Sequence, residues 1–181
     1  MQILNKIKIN KKKLIYNLND LYKLTKSQTK KTIVKNCLKI SSSCHYYYSS
    51  YNYRTNINSD LETNNIFKFL NSYYYGTCHE IAFFLSYLLK IHGMKTQIIH
   101  CNSSKFTHVC LEVYYDHVWH LLDPTLGIFF NLRGNKSILS LKEVKQNLTS
   151  KQLVSNKKIS LRGLQTDKKN HFFYYKKEKA F

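Results

Sequence analysis

From Thr77 to His92 the apolar residues fall at helical spacing. Cys78, Ile81, Ala82, Leu85, Leu88 and Leu89 recur every three or four positions, and Gly93 follows where a left-handed residue closes a helix. The spacing predicts a helix over about 77 to 92. Phe83, Phe84 and Tyr87 fill its other side, so the helix is apolar nearly all round and is expected to be the central, buried one. After Gly93 the pattern changes to short runs rich in β-branched, aromatic and aliphatic residues: "MKTQIIHC", "THVCLEVYY" and "VWHLLDP". These predict three strands, the last two joined as an antiparallel hairpin through Asp116 and His117. Pro124 has no N–H to give a sheet and ends the third strand.

The flanks are less patterned. Leu14, Leu18, Leu21, Tyr22 and Leu24 predict one or two amphipathic helices within residues 1 to 40. Residues 41 to 60 have the Ser, Asn and Asp content of a loop, and Asp60 is placed to cap a short helix through Ile66, Phe67 and Leu70. One helix is expected near 140 to 150.

Charge divides the chain in the same way. Residues 1 to 40 hold eleven Lys against one acid, and residues 131 to 181 hold thirteen Lys or Arg against three. Residues 41 to 130 hold five basic and six acidic residues, so nearly all of the +19 lies outside the patterned middle. Basic flanks of this kind engage nucleic acid, anionic lipid or an acidic partner, or form a solvated lysine-rich surface. A composition of 43% hydrophobic residues with a single proline excludes a disordered chain, and 181 residues suit one domain with extensions. The longest apolar runs fall well short of the roughly 18 residues of a membrane span.

Five cysteines, at 37, 44, 78, 101 and 110, make an odd set without CxxC spacing, and the basic start lacks the apolar stretch of a secretory signal. Free thiols in a reducing cytoplasm are expected. Cys78 falls in the first turn of the predicted helix, where unpaired backbone amides and the helix dipole stabilise a thiolate, and Gly76 allows close approach. Cys78 also continues the apolar stripe, so a core thiol is the competing reading. With Tyr115 opposite Val118, Asp123 stands opposite Cys110 and diagonal to His108 on one face of the hairpin, within side-chain reach. An aspartate there can hold one imidazole nitrogen while the other faces a thiol.

The stretch "YYGTCHEIAFFLSYLLKIHGMKTQII", then "THVCLEVYY", then "VWHLLDPT", resembles the core of the transglutaminase-like superfamily, with its papain-like arrangement. The matching features are Gly76, Cys78, Ala82, Gly93, His108, and Trp119 four residues before Asp123-Pro124-Thr125. The resemblance implies an α+β fold, a papain-like/transglutaminase-like core whose central Cys-bearing helix packs on an antiparallel sheet. It makes Cys78 the nucleophile, His108 the base and Asp123 the residue that orients His108. The implied reaction is thiol-dependent acyl transfer or amide or peptide hydrolysis, through a thioester and without a cofactor, on a peptide or protein amide. The Cys78 backbone N–H is one expected oxyanion donor; for the second donor, Asn71 and the tyrosines at 73 to 75 are the candidates, and for substrate binding, Asn71, Tyr75 and Trp119.

Two features depart from the family pattern: Asp116-His117 at the hairpin turn, and Val109-Cys110 where an aromatic often follows the histidine. Zinc is a competing use of Cys78, His79, His108, Cys110, His117 and His120, disfavoured because no paired ligand spacing is present and His117 and His120 do not share a strand face. Calcium has no acidic cluster to bind it. The expected organisation is a basic helical extension over 1 to 54, a catalytic core over 55 to 135 and a basic extension over 136 to 181. The alternative function is a non-catalytic binding protein whose basic flanks engage nucleic acid or an anionic surface.

Overall fold

A computed structural model describes residues 17–43, 45–46, 75–102 and 107–157. Among the described residues two helices come first, α1 (Leu18–Thr25) and α2 (Lys30–Ser41), each started by a side-chain cap. Asn17 Oδ1 accepts from the Asp20 N–H at 3.0 Å, and Thr29 Oγ1 from the Thr32 N–H at 3.2 Å, satisfying amides that have no intrahelical partner. A two-residue parallel pair follows, β1 (His45–Tyr46) with β2 (Tyr75–Gly76). The predicted central helix is α3 (Cys78–Lys90), and Gly93 does close it, at φ +71°. Its N–H bonds the Lys90 carbonyl at 2.9 Å, and the Met94 N–H returns to Leu89 O at 3.2 Å.

The strands are β3 (Lys95–Asn102), β4 (Thr107–Tyr115), β5 (Val118–Asp123), β6 (Ile128–Leu132) and β7 (Leu153–Ser155). They form one antiparallel sheet in the order β3-β4-β5-β6-β7. Asp116 and His117 make the predicted turn, both with positive φ (48° and 67°), the conformation a tight two-residue hairpin requires. Between β6 and β7 lies α4 (Leu141–Gln146), where Ser140 and Glu143 cap one another across the first turn.

The alternation along β4 sends Leu111, Val113 and Tyr115 to one face, where they join Leu21, Val34, Leu38, Ile81, Phe84, Leu85 and Leu88 from α1 to α3. The opposite face carries Cys101, Cys110, Leu121, Ile128 and Phe130, covered by Leu139, Val144 and Leu153. The sheet is therefore buried on both faces, and residues from Leu21 to Leu153 take part. The expectation that α3 is buried all round is corrected. Phe84 is 1% exposed, but Phe83 is 52% exposed, because α1, α2 and the sheet cover only the stripe that carries Ile81, Phe84, Leu85 and Leu88. The helical spacing in α1 likewise buries only Leu21 and Thr25, leaving Leu18, Tyr22 and Leu24 exposed. Leu14, the segment from Asp60 to Leu70, and Asn71 lie outside the described residues. Among the described residues, no helix is long and apolar enough to cross a membrane.

Candidate active site

Cys78 is the first residue of α3, half-buried and free. What fixes it there is Thr77, whose backbone N–H donates to Glu80 Oε2 at 2.8 Å and whose hydroxyl reaches the same oxygen. The amide of Cys78 is one of the first four of the helix, which have no intrahelical acceptor.

The hairpin register is the one the sequence implies, with Tyr115 opposite Val118 and Leu111 opposite Leu122. His108, near the start of β4, therefore lies diagonally across from Asp123 at the end of β5, on the same face. His108 Nε2 and Asp123 Oδ2 are 2.8 Å apart in a buried ion pair. The other carboxylate oxygen, Oδ1, accepts the Leu126 N–H at 3.1 Å, so Asp123 holds both the imidazole and the turn that follows it. Cys110 Sγ stands 3.7 Å from Oδ2 as a further donor. Cys78 also acts on the His108 side chain, as a hydrogen-bonding and charged neighbour that raises its pKa, which links the start of α3 to the hairpin. With Nε2 committed to Asp123, that contact falls to Nδ1.

Burial alone would drive the His108 imidazole toward its neutral form. The charge and hydrogen bond of Asp123, together with Cys78, outweigh it and raise the pKa to about 10. Cys101 and Cys110 act on one another: hydrogen bonding from Cys110 lowers the Cys101 pKa against its burial, and hydrogen bonding from Cys101, with burial, pushes Cys110 well up.

A family model described as "Transglutaminase-like superfamily" matches residues 22–124, more than half of the chain and a span that includes Cys78, His108 and Asp123. The chain belongs to the transglutaminase-like superfamily. A solved structure titled "Crystal structure of a TGase" aligns at 17% identity with a TM-score of 0.39, covering 71% of this chain and 34% of that one. The chain thus spans about a third of that protein's length. No curated protein matches at a significant level. The α+β architecture of this transglutaminase-like chain sets its cysteine at the start of a helix against the antiparallel sheet, as expected from the resemblance.

The remaining candidates lie on β2, on β5 and in the hairpin turn. Trp119 sits opposite Tyr114 with ring centroids 5.2 Å apart, next to the hairpin turn. It is four residues from Asp123, roughly 13 Å along the strand, and is not brought to the His108 cluster. Tyr75 lies in β2, two residues before Thr77. His117 occupies the turn, and His120 is buried with its ring nitrogens against the carbonyls of Ile138 and Tyr115, so neither joins Cys78. Three contributors had no sequence signal: the Leu126 amide, Cys101 opposite His108, and Lys157, whose Nζ donates to Leu126 O at 2.5 Å.

Proposed function

We propose that this chain performs thiol-dependent acyl transfer on a peptide or protein amide, with Cys78 as nucleophile, His108 as base and Asp123 orienting His108. The observation that carries this reading is the buried 2.8 Å pair of His108 and Asp123, with Cys78 at the first turn of α3 among the neighbours that raise the His108 pKa. Membership in the transglutaminase-like superfamily supports a thiol-dependent catalytic role. In this reading His108 has already drawn the thiol proton onto Nδ1 as the imidazolium, and the Cys78 thiolate attacks the substrate carbonyl. The backbone N–H of Cys78 donates to the oxyanion, and His108 returns the proton to the leaving amine. A thioester remains. Water resolves it to an acid; an amine resolves it to a new amide.

The test is the alkylation rate of each cysteine by iodoacetamide across pH 5 to 9, read by mass spectrometry in wild type and in His108→Ala. Fast reaction of Cys78 alone below pH 7, slowed by loss of His108, supports the reading. A Cys78 that reacts no faster than Cys37 or Cys101 in the folded chain refutes it.

A further inference from the structure

The face of the sheet that carries His108 also holds a thiol that acyl transfer does not use. Cys110 lies two residues beyond His108 on β4, and the β3–β4 register sets Cys101 directly opposite His108. All four residues of this patch, Cys101, His108, Cys110 and Asp123, are buried, at 2% to 6% exposure. One ligand atom each from His108, Cys110 and Asp123 falls within 4.8 Å of the other two.

Thiolate, imidazole and carboxylate together are donors that zinc accepts, with Zn–S of about 2.3 Å and Zn–N and Zn–O of about 2.0 to 2.2 Å. Tetrahedral angles turn those bonds into ligand-to-ligand edges of roughly 3.4 Å for N to O and 3.6 Å for S to O. The Cys110 to Asp123 distance, 3.7 Å, already matches its edge. The His108 to Asp123 distance, 2.8 Å, is shorter by about half an ångström, the adjustment needed when an ion replaces the proton between them.

We propose that His108 Nε2, Cys110 Sγ and Asp123 Oδ2 form a zinc site that shares two of its three ligands with the acyl-transfer residues. Binding releases the Cys110 thiol proton and the proton held between His108 and Asp123 to solvent, and leaves the fourth position to water. Cys101, diagonal to Cys110 across the β3–β4 pair, is placed to donate to the ligating sulfur. Residues at 108, 110 and 123 have no paired CxxC spacing, and only the hairpin register assembles them. With zinc on Nε2 the neutral imidazole carries its proton on Nδ1 and has no lone pair for Cys78. Zinc and acyl transfer therefore exclude one another, a consequence that rests on the function proposed above; the binding itself does not.

The experiment titrates metal-free full-length chain with Co²⁺ and Zn²⁺, read by absorption spectroscopy and, for the zinc form, by X-ray absorption fine structure. One equivalent is expected, with tetrahedral cobalt bands, a thiolate-to-cobalt charge-transfer band, and one sulfur at about 2.3 Å from zinc. Cys110→Ser should abolish the charge-transfer band. Cys101→Ala should keep it and weaken binding by about 10 to 100-fold. Cys37→Ser should change neither. A zinc shell without sulfur in the wild type, or a charge-transfer band that survives Cys110→Ser, overturns the site; the wild-type shell decides even where the variant does not fold. Acyl transfer that persists at zinc saturation overturns the exclusion while leaving the site standing, and a chain without any acyl-transfer activity still answers the cobalt titration.

Discussion

Asp123→Asn separates the two tasks of the carboxylate. The amide oxygen can still accept the Leu126 N–H that Oδ1 accepts at 3.1 Å, so the turn is kept, but an NH₂ now faces His108 Nε2. The imidazole must then be neutral, accept at Nε2 and carry its proton on Nδ1, the nitrogen assigned to Cys78. The charge that holds His108 at about 10 against its burial is removed while the burial stays. A drop from about 10 to the ordinary 6.5 amounts to about 5 kcal/mol at about 1.4 kcal/mol per tenfold change, and burial carries the midpoint lower still. The assay is an NMR titration of the His108 ring in wild type and variant. A midpoint that stays above about 9 in Asp123→Asn would refute the assignment of the raised value to Asp123. Folding stability must follow the same sign. His108 is raised in the folded chain, so its contribution is full below about pH 6.5 and is lost as pH climbs through about 10. Urea unfolding of the variant should be weaker at pH 6 and should lose this fall between pH 6.5 and 10. Turnover of an amide or ester substrate should drop by about 10⁴-fold, as expected when an orienting Asp is exchanged for Asn.

Cys78→Ala should reduce turnover to background and leave the unfolding free energy in urea within about 1 kcal/mol of wild type, since the site is half-buried and at the first helical position. Activity retained in that variant would return Cys78 to a packing role. Gly127 and Gly93 share a positive φ, +65° and +71°, but a Cβ at Gly127 would meet the Ser42 side chain and Lys157 Nζ at 2.6 Å, whereas one at Gly93 meets nothing within 4 Å. Gly93→Ala should therefore cost about 1 kcal/mol and Gly127→Ala clearly more, on the order of 3 kcal/mol, by denaturant unfolding; equal costs would refute the steric argument. Glu80→Ala removes the bond to the Thr77 N–H and should cost about 1 kcal/mol while slowing alkylation of Cys78.

The parts of the site that the sequence made legible are those set by short-range rules. Apolar spacing located α3 and put Cys78 at its start, and a two-residue turn with strict alternation fixed the β4–β5 register, from which the nearness of His108 and Asp123 followed. The β3–β4 pairing has no comparably short turn between Asn102 and Thr107, so the position of Cys101 opposite His108 was not readable. Nor was the second buried face: β6 and β7 are separated by α4, and their pairing is non-local. The exposure of Phe83 depends on which neighbours cover α3, and a periodicity cannot say that. Asp before Pro at a strand end reads equally as a turn signal and as a partner for a histidine; Asp123 makes both bonds, one oxygen for each.

Strand β4 carries a further consequence for how this protein tolerates change. Its odd positions, Leu111, Val113 and Tyr115, fill the core beneath α3, while its even positions, His108, Cys110 and Glu112, bear chemistry, Glu112 bonding both Gln97 and the Leu141 amide at 2.7 Å. A saturation scan along these residues would read as two interleaved alphabets, one graded by volume and the other by functional group. Insertion of a single residue in the strand would swap the alphabets, delivering polar groups to the core and aliphatics to the cluster around Asp123. Substitution is thus open at many of these positions, but length is closed: the spacing from the His108 end of β4 to the Asp116 turn cannot drift by one.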